Sequence, residues 1–367
     1  MIWLMRGADL VSEDPTVRMP SADDSGLGSG TPSPGSGDAA RPRAARSLKS
    51  RRSTSDLLFR SVLRSGGSFA LLLMIGVGSF LAFNAWDALH KAGLSFLTTQ
   101  AWNANGGQFG IAAVIVGTAL IALVALVVAM VLATGTALYI SEYAPRVLKR
   151  FFIAMLDLMA AVPSVVFGLW GSYLLQWRIL PVSRWVNDWF YWVPVFQVDG
   201  IQRSNPLTSL DAYSASTFIA GIVVGLMITP IIGSIMREAF GQAPAGEREG
   251  AYALGSTRWA MIRAVVLPFG RGAIVGGTML GLGRALGETM AVLLIISPVY
   301  VIQPHILQQG TSSVSSLIAS QYSEASSHFS ISALMAAGLA LFAITMLVNF
   351  IAAQIVSRSR SGALSEA

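Results

Sequence analysis

A chain of 367 residues with 53% hydrophobic and only 12% charged residues is too apolar for a soluble domain of that size, and reads as an all-α polytopic membrane protein. Its net charge of +6 rests almost wholly on arginine, since Lys49, Lys91 and Lys149 are the only lysines, and it reports membrane orientation rather than nucleic-acid binding. The absence of cysteine excludes disulfides, thiolate catalysis and Cys-ligated metals, while the lack of a GxxxxGK[ST] stretch excludes a P-loop ATPase, so no cofactor is expected. His90, His305 and His328 sit singly in polar connections, without metal-ligand spacing.

In chain order, residues 1–55 are rich in Ser, Gly, Pro and Arg, around SGLGSGTPSPGSG, and bury too little to order themselves. They are expected to form a disordered basic cytoplasmic tail, since MIWLM is too short for a signal-peptide core. Arg41, Arg43, Arg46, Lys49, Arg51, Arg52, Arg60 and Arg64 precede the first apolar run. Apolar runs long enough to cross a hydrocarbon core of about 30 Å occur near 67–86, 109–138, 152–177, 215–236, 269–297 and 330–356. Residues 56–360 therefore read as a domain of six transmembrane helices in the lipid bilayer, and 361–367 as a short tail.

With the N-terminus inside, the inner connections hold Arg146, Lys149 and Arg150, then Arg237, Arg248, Arg258, Arg263 and Arg271, then Arg358 and Arg360. The outer ones keep only Lys91, Arg178, Arg184 and Arg203. This asymmetry predicts an inner-membrane protein with both termini, and the loop 237–268, in the cytoplasm.

In the third run, Pro163 frees a backbone carbonyl and predicts a kink. Asp157 is expected near the cytoplasmic surface or paired with a neighbour. The connection 178–214 carries Trp185, Trp189, Phe190, Tyr191, Trp192 and Phe196, which suits either an interface belt or a platform for an extracytoplasmic binding protein. The connection 298–329 has no Lys or Arg.

The loop reads EREGAYALGSTRWAMIRAVVLP. Glu249 to Leu254 predicts a thin helical turn, which Gly255 ends in a left-handed conformation, and Ser256 caps a second turn. Such an element suits a groove on a soluble partner. Ala251 and Ala253 would permit close approach, with Glu249, Arg248 and Arg258 supplying polar register.

The fifth run carries Gly272, Gly276, Gly277, Gly281, Gly283 and Gly287, a small-xxx-small pattern that predicts the central packing helix. It also carries Arg284 and Glu288, four residues apart and so on one face of a continuous helix. An arginine at the bilayer centre costs about 2.5–3.5 kcal/mol. Arg284 could meet a tetrahedral oxyanion in transit, its planar fork matching two oxygens, while Glu288 tempers the attraction. The alternative is an ion pair at an inter-subunit seam.

Glu249, Ala251, Gly255, Val265, Leu267 and Pro268, with Gly250 and Val265 as looser matches, resemble the EAA loop of binding-protein-dependent ABC importer permeases. Together with PSVVFGL in the third run and GLGRALGETMAV in the fifth, the chain from about 55 to 360 resembles the permease subunits of the phosphate-specific ABC importer. It is similar to the PstC type, whose partner type is expected to read GETAPLL.

This resemblance implies a type I ABC importer permease fold and a heterodimer with a PstA-type permease. It also implies separate ATP-hydrolysing subunits, an extracytoplasmic phosphate-binding protein and inorganic phosphate as the substrate, with no catalysis in this chain. Arg284 and Glu288 would line the substrate pathway. Glu249, Gly250, Ala251, Gly255, Ser256 and Arg258 would couple the chain to the ATPases, with Gly250 departing from the family's alanine. Competing readings are a molybdate or sulfate permease, and an ion-driven carrier using Glu288 and Asp157 as proton sites. A membrane enzyme lacks a nucleophile, base and metal set.

Overall fold

The computed structural model describes residues 54–103, 108–201 and 209–360. The expected tails at 1–55 and 361–367 lie outside them, except that residues 54 and 55 open the first helix.

Helix α1 (Thr54–Asn84) is unbroken over 31 residues and is followed by α2 (Trp86–Ala92). The Ser332 hydroxyl donates to the Asn84 carbonyl at 2.7 Å and accepts from the Ala88 amide at 3.2 Å, which ties this corner to a distant element. Trp102–Asn103 and Gln108–Phe109 form a two-residue antiparallel ladder, Trp102 opposite Phe109. Helix α3 (Ala112–Leu138) ends in a π-helical turn over Tyr139–Tyr143.

The third expected span is two rods. α4 (Arg146–Ala161) meets the assembly of α5 (Ser164–Trp170), a π turn over Gly171–Leu175 and α6 (Gln176–Phe190) at 93°. The break falls at Val162 and Pro163, whose ψ angles of 129° and 141° are extended. Proline disfavours the helical region for the residue before it, so Val162 cannot carry the helix through. The expected kink is thus a full turn of direction. The aromatic stretch expected to be a connection is helical through Trp185, Trp189 and Phe190, because the apolar face of α6 outlasts the apolar run.

Helix α7 (Thr217–Gly241) sits at the centre of the bundle. After it come α8 (Ala245–Ala253), α9 (Arg258–Met261), a π turn over Ile262–Val266 and α10 (Leu267–Phe269). Next is α11 (Arg271–Leu286), bent by 65° from the segment Arg258–Phe269 at Gly270. The chain continues through α12 (Met290–Ile295), α13 (Val314–Gln321) and α14 (His328–Arg360). Among the described residues, four helices are long and apolar enough to cross a membrane, and the two bent pairs bring the number to six if each is one span.

Close packing is concentrated between α3 and α7. Ala125, Ala129, Ala133 and Ala137, spaced by four and so stacked on one face, are all 0% exposed. Opposite them, a Cβ on Gly225 would lie 2.8 Å from the Ala125 carbonyl oxygen, and one on Gly221 would lie 2.5 Å from Val124. Without bulk on either face the two backbones approach closely, which is how helices associate where lipid offers no hydrophobic drive. This moves the centre away from the fifth run, where it was expected. In α11 only Gly277 and Gly281 of the predicted glycines are buried, both against α7 at Ile232 and Ile235.

At one end of the bundle the connections interlock. The Phe218 amide donates to the Ile306 carbonyl at 2.9 Å, Ile306 to Val195 at 3.0 Å, and Gln309 to Ala212 at 2.8 Å. Next to them the polar segment Thr311–Ser316 is buried, the Val314 amide donating to the Thr118 hydroxyl at 3.0 Å. Gly117 makes room for it, since a Cβ there would collide with the Ser312 carbonyl.

Candidate functional site

The helix expected to carry Arg284 and Glu288 on one face stops between them. α11 ends at Leu286, Gly287 takes φ −91° and ψ 0°, and a new helix begins only at Met290. The low helix propensity of glycine weakens continuation at this point, although its negative φ is one that any residue adopts. The read-through expected from an apolar run to 297 is therefore corrected. Arg284 occupies the last turn of one helix, and Glu288 precedes the first turn of the next.

Each charge stands where the adjoining helix end favours it. A cation near a C-terminus meets the uncapped carbonyls, and an anion near an N-terminus meets uncapped amides. The Glu288 carboxylate is buried, at 8% exposure for the residue, and accepts from the Ala291 amide at 3.2 Å. The Glu288 carbonyl accepts the Ser315 hydroxyl at 2.6 Å, anchoring the break to α13. Arg284 is exposed and has no hydrogen-bond or ion-pair partner among the described residues, so no Arg284–Glu288 ion pair forms within this chain. A broken helix in an apolar stretch thus presents an exposed guanidinium without a partner among the described residues.

The second site is the loop. α8 begins after Pro244 and ends at Ala253, with Leu254 90% exposed at its tip. Gly255 takes φ +82°, the left-handed conformation read from the sequence. Open space surrounds its Cβ position and that of Gly250, so the departure at Gly250 leaves the course of α8 unchanged.

The predicted Ser256 cap is replaced. The Ser256 hydroxyl donates back to the Ala251 carbonyl at 2.7 Å, and Thr257 caps α9 by accepting from the Ala260 amide at 3.3 Å. Ser256 sits inside the tight αL turn, where its amide, at 3.1 Å, and its hydroxyl both donate to the Ala251 carbonyl.

Glu249, Gly250, Ala253 and Leu254 face outward, whereas Ala251 packs toward the core. Arg258 lies over the Tyr143 ring, 5.1 Å from its centroid, and Arg248 turns inward to Glu142. Of the residues read as supplying polar register, Arg248 is therefore turned away from the outward face of α8, while Glu249 and Arg258 remain exposed. Glu142 escaped the sequence reading, although an acid at a helix C-terminus just before Pro145 is electrostatically misplaced and asks for a cation.

Residues 129–361 match the family described as binding-protein-dependent transport system inner membrane component, and both sites lie inside the match. The chain belongs to that family. As an inner membrane component of a transport system, the permease is a multi-pass protein with up to six spans.

Several curated proteins resemble this permease along most of its length. It is 38% identical over 308 residues to "Phosphate transport system permease protein PstC 2" of Mycobacterium tuberculosis, covering 83% of this chain and 93% of that one. It is 38% identical over 307 residues to PstC of Pasteurella multocida (83% and 92%), and 34% identical over 314 residues to PstC of Mesorhizobium japonicum (84% and 92%). Among solved structures, an inward facing form of the MetNI methionine ABC transporter matches 68% of this chain and 95% of its own. The two are 14% identical, with a TM-score of 0.46.

Proposed function

We propose that this chain is the PstC-type permease subunit of an ABC importer that moves inorganic phosphate into the cytoplasm, in a type I importer permease fold. The observation that carries the reading is Arg284: an exposed, unpaired guanidinium at the end of α11, separated from the buried Glu288 by a helix break. A planar fork matches two oxygens of a tetrahedral anion. The buried carboxylate nearby reduces the net field, so the anion is drawn in and released. The relatives named as phosphate transport permeases support phosphate as the anion.

Since the chain carries no nucleotide-binding motif, its energy enters from separate ATP-hydrolysing subunits. Their grooves receive the outward face of α8, at Glu249, Gly250, Ala253, Leu254 and Gly255. A PstA-type permease covers the Arg284 side, and a phosphate-binding protein delivers from the opposite end. Both termini then lie in the cytoplasm, as the arginine asymmetry favours. In this reading 56–360 is the permease domain and 237–268 its coupling loop.

The test is ATP-dependent uptake by the complete complex in vesicles, with phosphate, sulfate and molybdate in competition. Uptake of phosphate that excess sulfate and molybdate leave untouched is the expected result. Preference for either competitor, or uptake that continues without the ATPase subunits, overturns it.

A further inference from the structure

Arg248 and Glu142 form a contact that the docking role of the loop does not use. The guanidinium faces the carboxylate as a fork, with Nη2 to Oε1 at 3.1 Å and Nη1 to Oε2 at 3.4 Å. Nη2 also donates to the Phe240 carbonyl, and the Ser141 hydroxyl donates to Glu142 Oε1, both at 2.5 Å. The Glu142 side chain is 5% exposed and that of Arg248 22%, so this is a nearly dry pair. Three of these contacts join three elements, α8 to the π turn ending α3 and to the C-terminus of α7, and the fourth lies within the π turn.

Neither charge suits its own helix. Glu142 sits at the C-terminal end of α3, against uncapped carbonyls, and Arg248 sits in the N-terminal half of α8, against uncapped amides. A buried pair of this kind adds little stability over an apolar one of equal volume, whereas loss of one partner strands a charge. What the fork does supply is geometry. One hydrogen bond and one close ion contact to Glu142, with a hydrogen bond to the Phe240 carbonyl, fix the position of α8 on the bundle in a way that apolar packing, free to slide, does not.

The contact continues inward. The Phe240 ring fills the space beside Gly270, where a Cβ would come within 2.4 Å of it, and Gly270 is the bend from which α11 departs toward Arg284. The π turns on either side, at Tyr139–Tyr143 and Ile262–Val266, are strained forms often found at functional positions.

We propose that Arg248 and Glu142 are positioning residues that make α8 and the adjoining ends of α3 and α7 move as one body. A displacement applied to α8 then reaches the Gly270 bend and the helix that carries Arg284. This rests on the proposed function only in that a partner displaces α8.

The experiment uses the complete complex in vesicles, with Glu142→Gln, Arg248→Gln, the double variant and Arg248→Lys. Spin labels go at Ala245→Cys on α8 and Val131→Cys on α3, both exposed, in a chain that has no cysteine of its own. The wild-type label spacing should stay constant when ATP is added. In either single Gln variant ATP should change it, and anion transported per ATP should fall on the order of tenfold. The double variant should be no worse than the singles, and Arg248→Lys, which keeps the charge without the fork, should fall between.

Label spacing that stays constant in the Gln and Lys variants, a wild-type spacing that moves with ATP, or effects that multiply in the double variant would each overturn the proposal. A wild-type complex that hydrolyses ATP but imports none of the tested anions defeats the importer reading alone, because the label spacing still decides this one.

Discussion

Arg284 and Glu288 show how a correct residue can be read in the wrong geometry. Their presence in an apolar run was legible, because intramembrane charge is costly and therefore informative. Their separation by a helix break was not, because hydropathy averages over a window and does not register whether the backbone turns. Gly287 was counted as a packing residue, yet it sits at the break. The pathway role predicts that Arg284→Gln, in a normally assembled complex, lowers uptake by about ten- to hundredfold, the factor for losing one charged hydrogen-bond partner. Arg284→Lys should retain part of the rate, since a point charge replaces the fork. Initial uptake rates at equal complex density decide both.

Tyr300, in the connection outside the spans, has its phenol raised above the ordinary 10.0, first by burial and further by the nearby Glu324, with the Ser320 hydrogen bond opposing. The folded state therefore holds this proton more firmly than the unfolded chain. Its contribution to stability is fully present below pH 10.0 and declines as pH rises toward the raised folded value. Wild type should lose more thermal stability than Tyr300→Phe across that window, as read by melting of the purified complex.

At the scale of elements, α8 was the best-predicted piece. Gly255 was the reason: a required left-handed residue leaves a mark in sequence that packing does not. Its Cβ position is open, so Gly255→Ala isolates the conformational cost of about 1–2 kcal/mol. Uptake should fall while the ATPase subunits remain bound, and Gly255→Asn, tolerant of the same conformation, should recover part of it.

The α3–α7 seam was the poorest-predicted piece. Alanine at every fourth position is so common in apolar helices that Ala125, Ala129, Ala133 and Ala137 drew no notice beside a helix rich in glycine. Gly225→Leu should force the two backbones apart, at about 1–3 kcal/mol or more. The yield of assembled complex and its melting temperature are the measurements. The equivalent change at Gly276, where a Cβ meets nothing within 4 Å, should be tolerated.

For the whole molecule, composition alone pointed to a membrane protein, and the six apolar runs agree with the four long helices and two bent pairs among the described residues if each pair is one span. The kink at Pro163 was legible but its size of 93° was not, and the 65° bend at Gly270 was missed, since both residues also occur in straight or gently kinked helices. Large apolar side chains remain exposed along α1 from Phe69 to Phe83 and on α6 at Trp185 and Trp189, as expected of a surface that meets lipid or another subunit. Orientation is checked at Leu254. A single cysteine there should react with a membrane-impermeant maleimide in inside-out vesicles and not in right-side-out ones, and ATPase subunits should protect it. The opposite sidedness would remove any route from nucleotide to this chain.

The interruption at residues 287–289 parts the two charges: Arg284 ends a rod bent at Gly270, and Glu288 lies in the interruption itself, tethered by its carbonyl to Ser315. Swinging that rod alters how far the guanidinium stands from the carboxylate, and Coulomb attraction varies inversely with that gap. Binding strength for a passing anion would then follow the posture of α11, tightening as the charges part and slackening as they close. In the importer proposed above, displacement of α11 would also grade its grip on the anion, with no titrating group or added ligand needed.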